Sequence, residues 1–158
     1  MEELDAYRKE LLAELEGVVE ELFKAVAAIP SDAWHVSTGS DGHSPHYTLA
    51  HLRNVEAQVF IVRLRRILEE ELPLLLLFDD EAWMLKYYKP DESPQSIIEE
   101  YAHLRQQELG WLRDLPPAAW NRPARHPWWG VRTLQWWVEL NLDYAHQHLD
   151  QLTAKLAA

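Results

Sequence analysis

From Thr48 to about Glu71 the chain reads TLAHLRNVEAQVFIVRLRRILEEE, with no glycine and no proline. A run that long exceeds any ordinary strand and holds nothing that breaks a helix, so it predicts one long helix. Apolar residues fall on nearly every side of it, as expected of the best-buried element in a molecule.

Three other segments carry the same periodicity. Leu4, Leu11, Leu15, Val18, Leu22 and Val26 recur at three- and four-residue intervals across residues 3–28, and this first helix stops before Pro30. The next stretch, PSDAWHVSTGSDGHSPH, is a connection by composition. Ser93 followed by Pro94 predicts an N-cap with proline at the first helical position, and Ile97, Tyr101, Leu104, Trp111 and Leu115 form the stripe of a third helix ended by Pro116 and Pro117. Thr133 is the predicted N-cap of a last helix running through LQWWVELNLDYAHQHLDQLTAKL. No alternating pattern of any length and no internal repeat appears, so the expected class is all-α and the expected architecture a four-helix bundle formed by residues 1–158 as a single domain.

Between Leu72 and Glu92 lies a linker longer than the usual connection between neighbouring helices. A crossover of that length can span the height of a bundle, which predicts up-down-down-up topology with the second and third helices parallel. The start of helix two would then meet the end of helix four.

Composition narrows the chemistry. With 158 residues and 47% hydrophobic content the chain can bury a core, which excludes disorder. A net charge of -11 argues against a nucleic-acid partner, because neutralising phosphates needs clustered Lys and Arg. The longest apolar run, Leu74 to Phe78, is far too short to span a membrane, and the charged N-terminus lacks the features of a signal peptide, so a cytoplasmic location is expected. The absence of cysteine removes thiol nucleophiles and thiolate metal sites, leaving His, carboxylate or phenolate as metal donors.

Helical arithmetic orients the histidines. His148 shares a stripe with Leu134, Trp137, Asn141, Tyr144 and Leu152, whereas His146 is turned about 160° away beside Glu139 and Asp150. His51 shares a stripe with Val55, Gln58 and Val62, which permits an inward direction. On these grounds alone, two buried imidazoles hydrogen-bonded to a neighbour would account for His51 and His148. His43, His46 and His146 are expected at the surface, with His46 a further candidate for an auxiliary group, and nothing pairs with His35, His103 or His126. The eight tryptophans, including Trp128–Trp129 and Trp136–Trp137, are expected to be packing and loop anchors, some of them lining a pocket mouth.

Four phrases, TLAHLRNVEAQVF, DDEAWMLKYY, HPWWGVRTLQWW and the ending HLDQL, resemble in order and spacing the DinB/YfiT-like family of four-helix proteins described as metal-dependent enzymes. The resemblance implies an up-down-down-up bundle and a divalent metal, Zn, Ni, Mn or Fe, held by one histidine early in helix two and two histidines four residues apart in the last helix. By position these are His51 and His148, with Tyr144 where the third histidine would stand. Glu108, on the inward stripe of helix three, is one other side chain that could complete the set. The expected function is therefore a small-molecule-binding or stress-related protein with a degenerate metal site at His51, His148 and Tyr144. The alternatives are a metal-dependent transferase or hydrolase acting on a low-molecular-weight thiol or similar small substrate, and a structural dimerisation module. A homodimer is expected in either case, with the leucines of the crossover as one candidate for its interface.

Overall fold

The computed structural model describes residues 1–156. Its elements, in chain order, are α1 (Glu2–Ala28), α2 (Pro45–Val55), a π turn (Glu56–Phe60), α3 (Ile61–Glu69), α4 (Asp80–Tyr87), α5 (Pro94–Leu112), β1 (Pro123–His126), β2 (Gly130–Thr133) and α6 (Leu134–Leu156). The four long rods α1, α2 with α3, α5 and α6 pack as a four-helix bundle.

Local chemistry sets the helix starts. The Ser44 hydroxyl accepts from the Tyr47 N–H with Pro45 at the first helical position, so α2 begins three residues before the expected Thr48. Ser93 accepts from the Ser96 N–H, and Thr133 from the Trp136 N–H, at the expected starts of α5 and α6. The end of α5 falls at Leu112, one turn short of Leu115.

Contacts order the rods. Along α1, Arg8 bonds Gln135 near the start of α6, while Leu22 shares a core cluster with Leu152 near its end. Arg53 pairs with Glu100, and Glu56 lies 3.7 Å from Arg105, so α2 and α5 ascend together. His51 meets His148, Phe60 meets Tyr144 and Arg63 lies over Trp137, so α2 with α3 runs against α6.

Four expectations need correction. Leu4, placed on the inward stripe of α1, is exposed, because packing begins only at Arg8 and Leu11. Gln58 is exposed and Val62 only half buried, while Val59 and Phe60 are buried. The π turn adds a residue to one helical turn, so everything after Glu56 is rotated relative to the stripe that His51 begins. Residues 72–92 are not a bare linker: α4 lies within them, capped by the Asp79 carboxylate, and the Leu75 N–H donates to the Arg125 carbonyl while the Arg125 N–H donates to the Pro73 carbonyl, which ties the crossover to β1. Finally, the loop before α6 contains the short antiparallel hairpin β1–β2, whose turn ends on Gly130 at φ +68.

A polar cluster lies at the centre of the bundle. The fully buried Arg105 donates to the Leu15 carbonyl, the Tyr101 hydroxyl, Asn141 Oδ1 and Glu108 Oε1, and the Asn141 amide donates to Glu56 and Glu108. Burial, reinforced by the neighbouring Glu56 carboxylate, raises the Glu108 carboxyl well above the usual range. Glu108 thus faces inward as its stripe implied, but it is bound into this network and does not belong to the histidine pair.

Candidate functional site

The expected site residues His51 and His148 approach each other at one end of the bundle, Nδ1 to Nε2, at 3.3 Å. His51 comes from the second turn of α2 and His148 from the third-last turn of α6, one turn beyond Tyr144. The other ring nitrogen of His51, Nε2, lies 2.6 Å from Asp80 Oδ2. Asp80 is the first residue of α4, so the crossover helix delivers a carboxylate to a histidine 29 positions earlier. Asp80 was missed by sequence reasoning. Its quoted phrase DDEAWMLKYY carried the signal, but an acidic pair opening a short helix reads first as capping.

Tyr144 also lies here, though not where a third ligand would serve. Its hydroxyl stands 3.4 Å from His51 Nε2, on the Asp80 edge of that ring and not on the Nδ1 edge that faces His148. Burial pushes the phenol far above its ordinary value of 10, with Asp80 adding to the effect, so it stays protonated at neutral pH. His148 moves the other way. Burial lowers its imidazole to about 4, so the ring is neutral and carries one proton.

That proton has two places. On Nε2 it donates to His51 Nδ1; on Nδ1 it faces the Tyr144 carbonyl at 3.0 Å. In the second arrangement, with Asp80 accepting from His51 Nε2–H, the facing nitrogens are both lone pairs and attract a cation. Their separation of 3.3 Å also matches the edge of a tetrahedron with zinc–nitrogen bonds of about 2.0–2.1 Å. Two donors are nevertheless fewer than the three protein ligands of a catalytic zinc site. Among the described residues, no group of three or more His, Cys, Asp or Glu side chains is arranged to hold a metal ion. The donor set fits a resident catalytic metal incompletely.

A cavity of about 440 Å³ opens onto these side chains, walled by Asp41, His43, Tyr47, Thr48, Glu81 and Gln151 besides the four already named. His43 is exposed and stacks on Tyr47 at 4.1 Å. His46, expected at the surface, is instead fully buried, its ring between the Tyr88 hydroxyl and the Glu92 carbonyl at 2.7 Å each. The earlier start of α2 is the reason, since it puts His46 in the first helical turn facing the end of α4. It takes no part in the cavity wall. His146 and His103 are exposed, His35 packs against His46, and His126 lies in the hairpin. No helix among the described residues is long and apolar enough to cross a membrane.

Comparison with known proteins supports the same architecture. YfiT from Bacillus subtilis, described as a probable metal-dependent hydrolase with an unusual four-helix bundle topology, superposes with a TM-score of 0.84 at 21% identity, over 94% of this chain and 85% of that one. At that identity the likeness establishes the fold. Among curated proteins none matches. The family model of the DinB superfamily matches residues 14–152, nearly the whole bundle and every residue of the site, and the chain belongs to that superfamily.

Proposed function

We propose that this protein is a small-molecule-binding member of the superfamily in which the metal site has lost its third ligand and the Asp80–His51 pair is the remaining acid–base centre. The observation that carries the reading is the position of Tyr144, a protonated phenol on the edge of His51 away from His148. Asp80 accepts from His51 Nε2–H, which holds the ring in one tautomer and presents Nδ1 as the acceptor. A proton arriving at Nδ1 is stabilised by the carboxylate behind it, and His148 Nε2 is the neighbouring relay. The cavity beside them gives a small ligand access to this row.

A second reading is favoured by the 3.3 Å spacing: His51 and His148 holding a divalent ion, with Asp80 behind His51 as the orienting carboxylate, in a hydrolase or in a transferase acting on a small thiol. When bound, such an ion would supply an activated water or thiolate. Likeness to a protein described as a probable metal-dependent hydrolase supports that alternative.

Metal analysis of tag-free protein, followed by titration with Zn, Ni, Mn and Fe ions, decides between them. An empty wild type alongside a Tyr144→His variant that binds stoichiometrically supports the degenerate site. Stoichiometric binding by wild type that His148→Ala abolishes would overturn it in favour of the metal enzyme. The exposed crossover leucines Leu76 and Leu77 are the proposed face for a second subunit, testable by light scattering of a Leu76→Lys, Leu77→Lys variant.

A further inference from the structure

A second cavity, of about 200 Å³, adjoins the histidine site and shares Asp80 and Tyr144 with it. Its walls are apolar and aromatic: Val59, Phe60, Phe78, Trp128 and Trp129. The π turn builds it, because the extra residue at Glu56–Phe60 brings Phe60 and Arg63 to the side where Val55 and Val59 lie.

Two hydrogen-bond donors stand in this wall without an anionic partner. Arg63 gives one Nη2 bond to the Leu76 carbonyl and lies over the Trp137 ring at 5.1 Å. Among the described residues no carboxylate is within ion-pair distance of it. Burial lowers its guanidinium to about 10, so it remains a cation at neutral pH. His126 is the other donor. Its Nδ1 accepts the backbone N–H groups of Trp128 and Trp129, at 3.1 and 3.3 Å, which puts the ring proton on Nε2. Burial, with help from the Arg63 charge, lowers His126, so it is neutral and Nε2–H is a fixed donor. A half-buried cation and a neutral N–H among aromatic walls, in a chain of net charge -11, form a local exception to the surrounding electrostatics.

We propose that this cavity is the substrate-anchoring half of the site and takes an aromatic carboxylate, the ring against Phe60, Trp128 and Trp129 and the carboxylate on Arg63 and His126 Nε2–H. A cavity of roughly 150 Å³ holds a benzene ring, so this one seats a single ring with a short acid arm. Guanidinium matches carboxylate geometry, and the aromatic walls match the flat body. The far end of the bound molecule passes Tyr144 towards His51; only this last point rests on the function proposed above.

The test is a ligand-observed NMR titration with phenylacetate, phenylacetamide and 2-phenylethylamine. Wild type should bind the acid about tenfold tighter than the amide and reject the amine, the difference expected for a charge-assisted bond. Arg63→Met should erase the acid's advantage, and Arg63→Lys should keep part of it. Trp128→Ala, a change at an exposed ring that leaves the core intact, should weaken acid and amide alike. The metal titrations that test the proposed function depend on neither Arg63 nor Trp128, so failure here is separable from failure of that function. Equal affinity for acid and amide, a preference that survives Arg63→Met, no effect of Trp128→Ala, or no binding of any probe at millimolar concentration would overturn the proposal.

Discussion

Two polar clusters sit a turn apart along α6, one around Asn141 and one around Tyr144 and His148, and they are built on opposite principles. In the Arg105 cluster every guanidinium nitrogen has an acceptor, Glu56 and Glu108 lie beside the cation with only Glu56 Oε2 left without a hydrogen-bond donor, and nothing reaches solvent. In the His51 cluster, nitrogen faces nitrogen, a phenol stands beside the ring without ionising, and a cavity opens alongside. Satisfied buried polar groups hold a fold in register, whereas groups left with spare donors or acceptors beside a cavity are available to a ligand.

The contrast breaks first at Arg105. Replacing it with Met leaves the buried Glu56 and Glu108 side chains without their cation and should cost about 3–5 kcal/mol in urea unfolding. A loss below about 1 kcal/mol would mean the cluster is no structural keystone. At the other cluster, Tyr144→His should tighten zinc binding about a hundredfold in calorimetry with little change in urea midpoint, because it adds a ligand and leaves the Arg105 network untouched. Zinc affinity equal to wild type would show that the position does not reach the histidine pair.

Acidity sharpens the comparison by a smaller amount. Burial holds His46 below its ordinary 6.5 in the fold, while the unfolded chain takes up its proton there. The unfolded state therefore binds more protons as pH falls, and stability should decline from above pH 6.5 downward, by at most about 1.4 kcal/mol per pH unit for this group. Urea midpoints from pH 7.5 to 5.5 should fall less steeply in His46→Gln than in wild type; parallel slopes would exclude the assignment. The smallest effect is expected for Glu108→Gln. Burial and the Glu56 carboxylate raise the Glu108 carboxyl well above the usual range, which favours its neutral form, so the amide should cost only about 1 kcal/mol, far less than Arg105→Met. A loss matching Arg105→Met would count against the neutral form.

Much of the architecture was legible because its signals are local. Ser93–Pro94 and Thr133 announce helix starts within a turn of themselves, and the Leu11, Leu15, Val18 and Leu22 stripe needs only the helical repeat. The same reasoning failed where one turn departs from the repeat. The π turn displaced Gln58 and Val62 from the inward face, and no spacing rule foresees it. His46 departs from its expected surface position because Ser44 and Pro45, loop-like by composition, form a capping pair as good as Ser93 and Pro94.

The residue types, their helical phase and the family they point to are written along the chain, since periodicity and capping act over a few neighbouring positions. Which groups meet across the bundle is not. Asp80 reaching His51, Arg105 reaching Asn141, and Arg63 and His126 sharing one cavity each join positions tens of residues apart, brought together by the packing of rods and by the docking of a crossover. Long-range partners are chosen by how whole helix faces fit. Tertiary packing therefore decided that Tyr144 turned to the Asp80 edge of His51 and left the pair facing it two-handed.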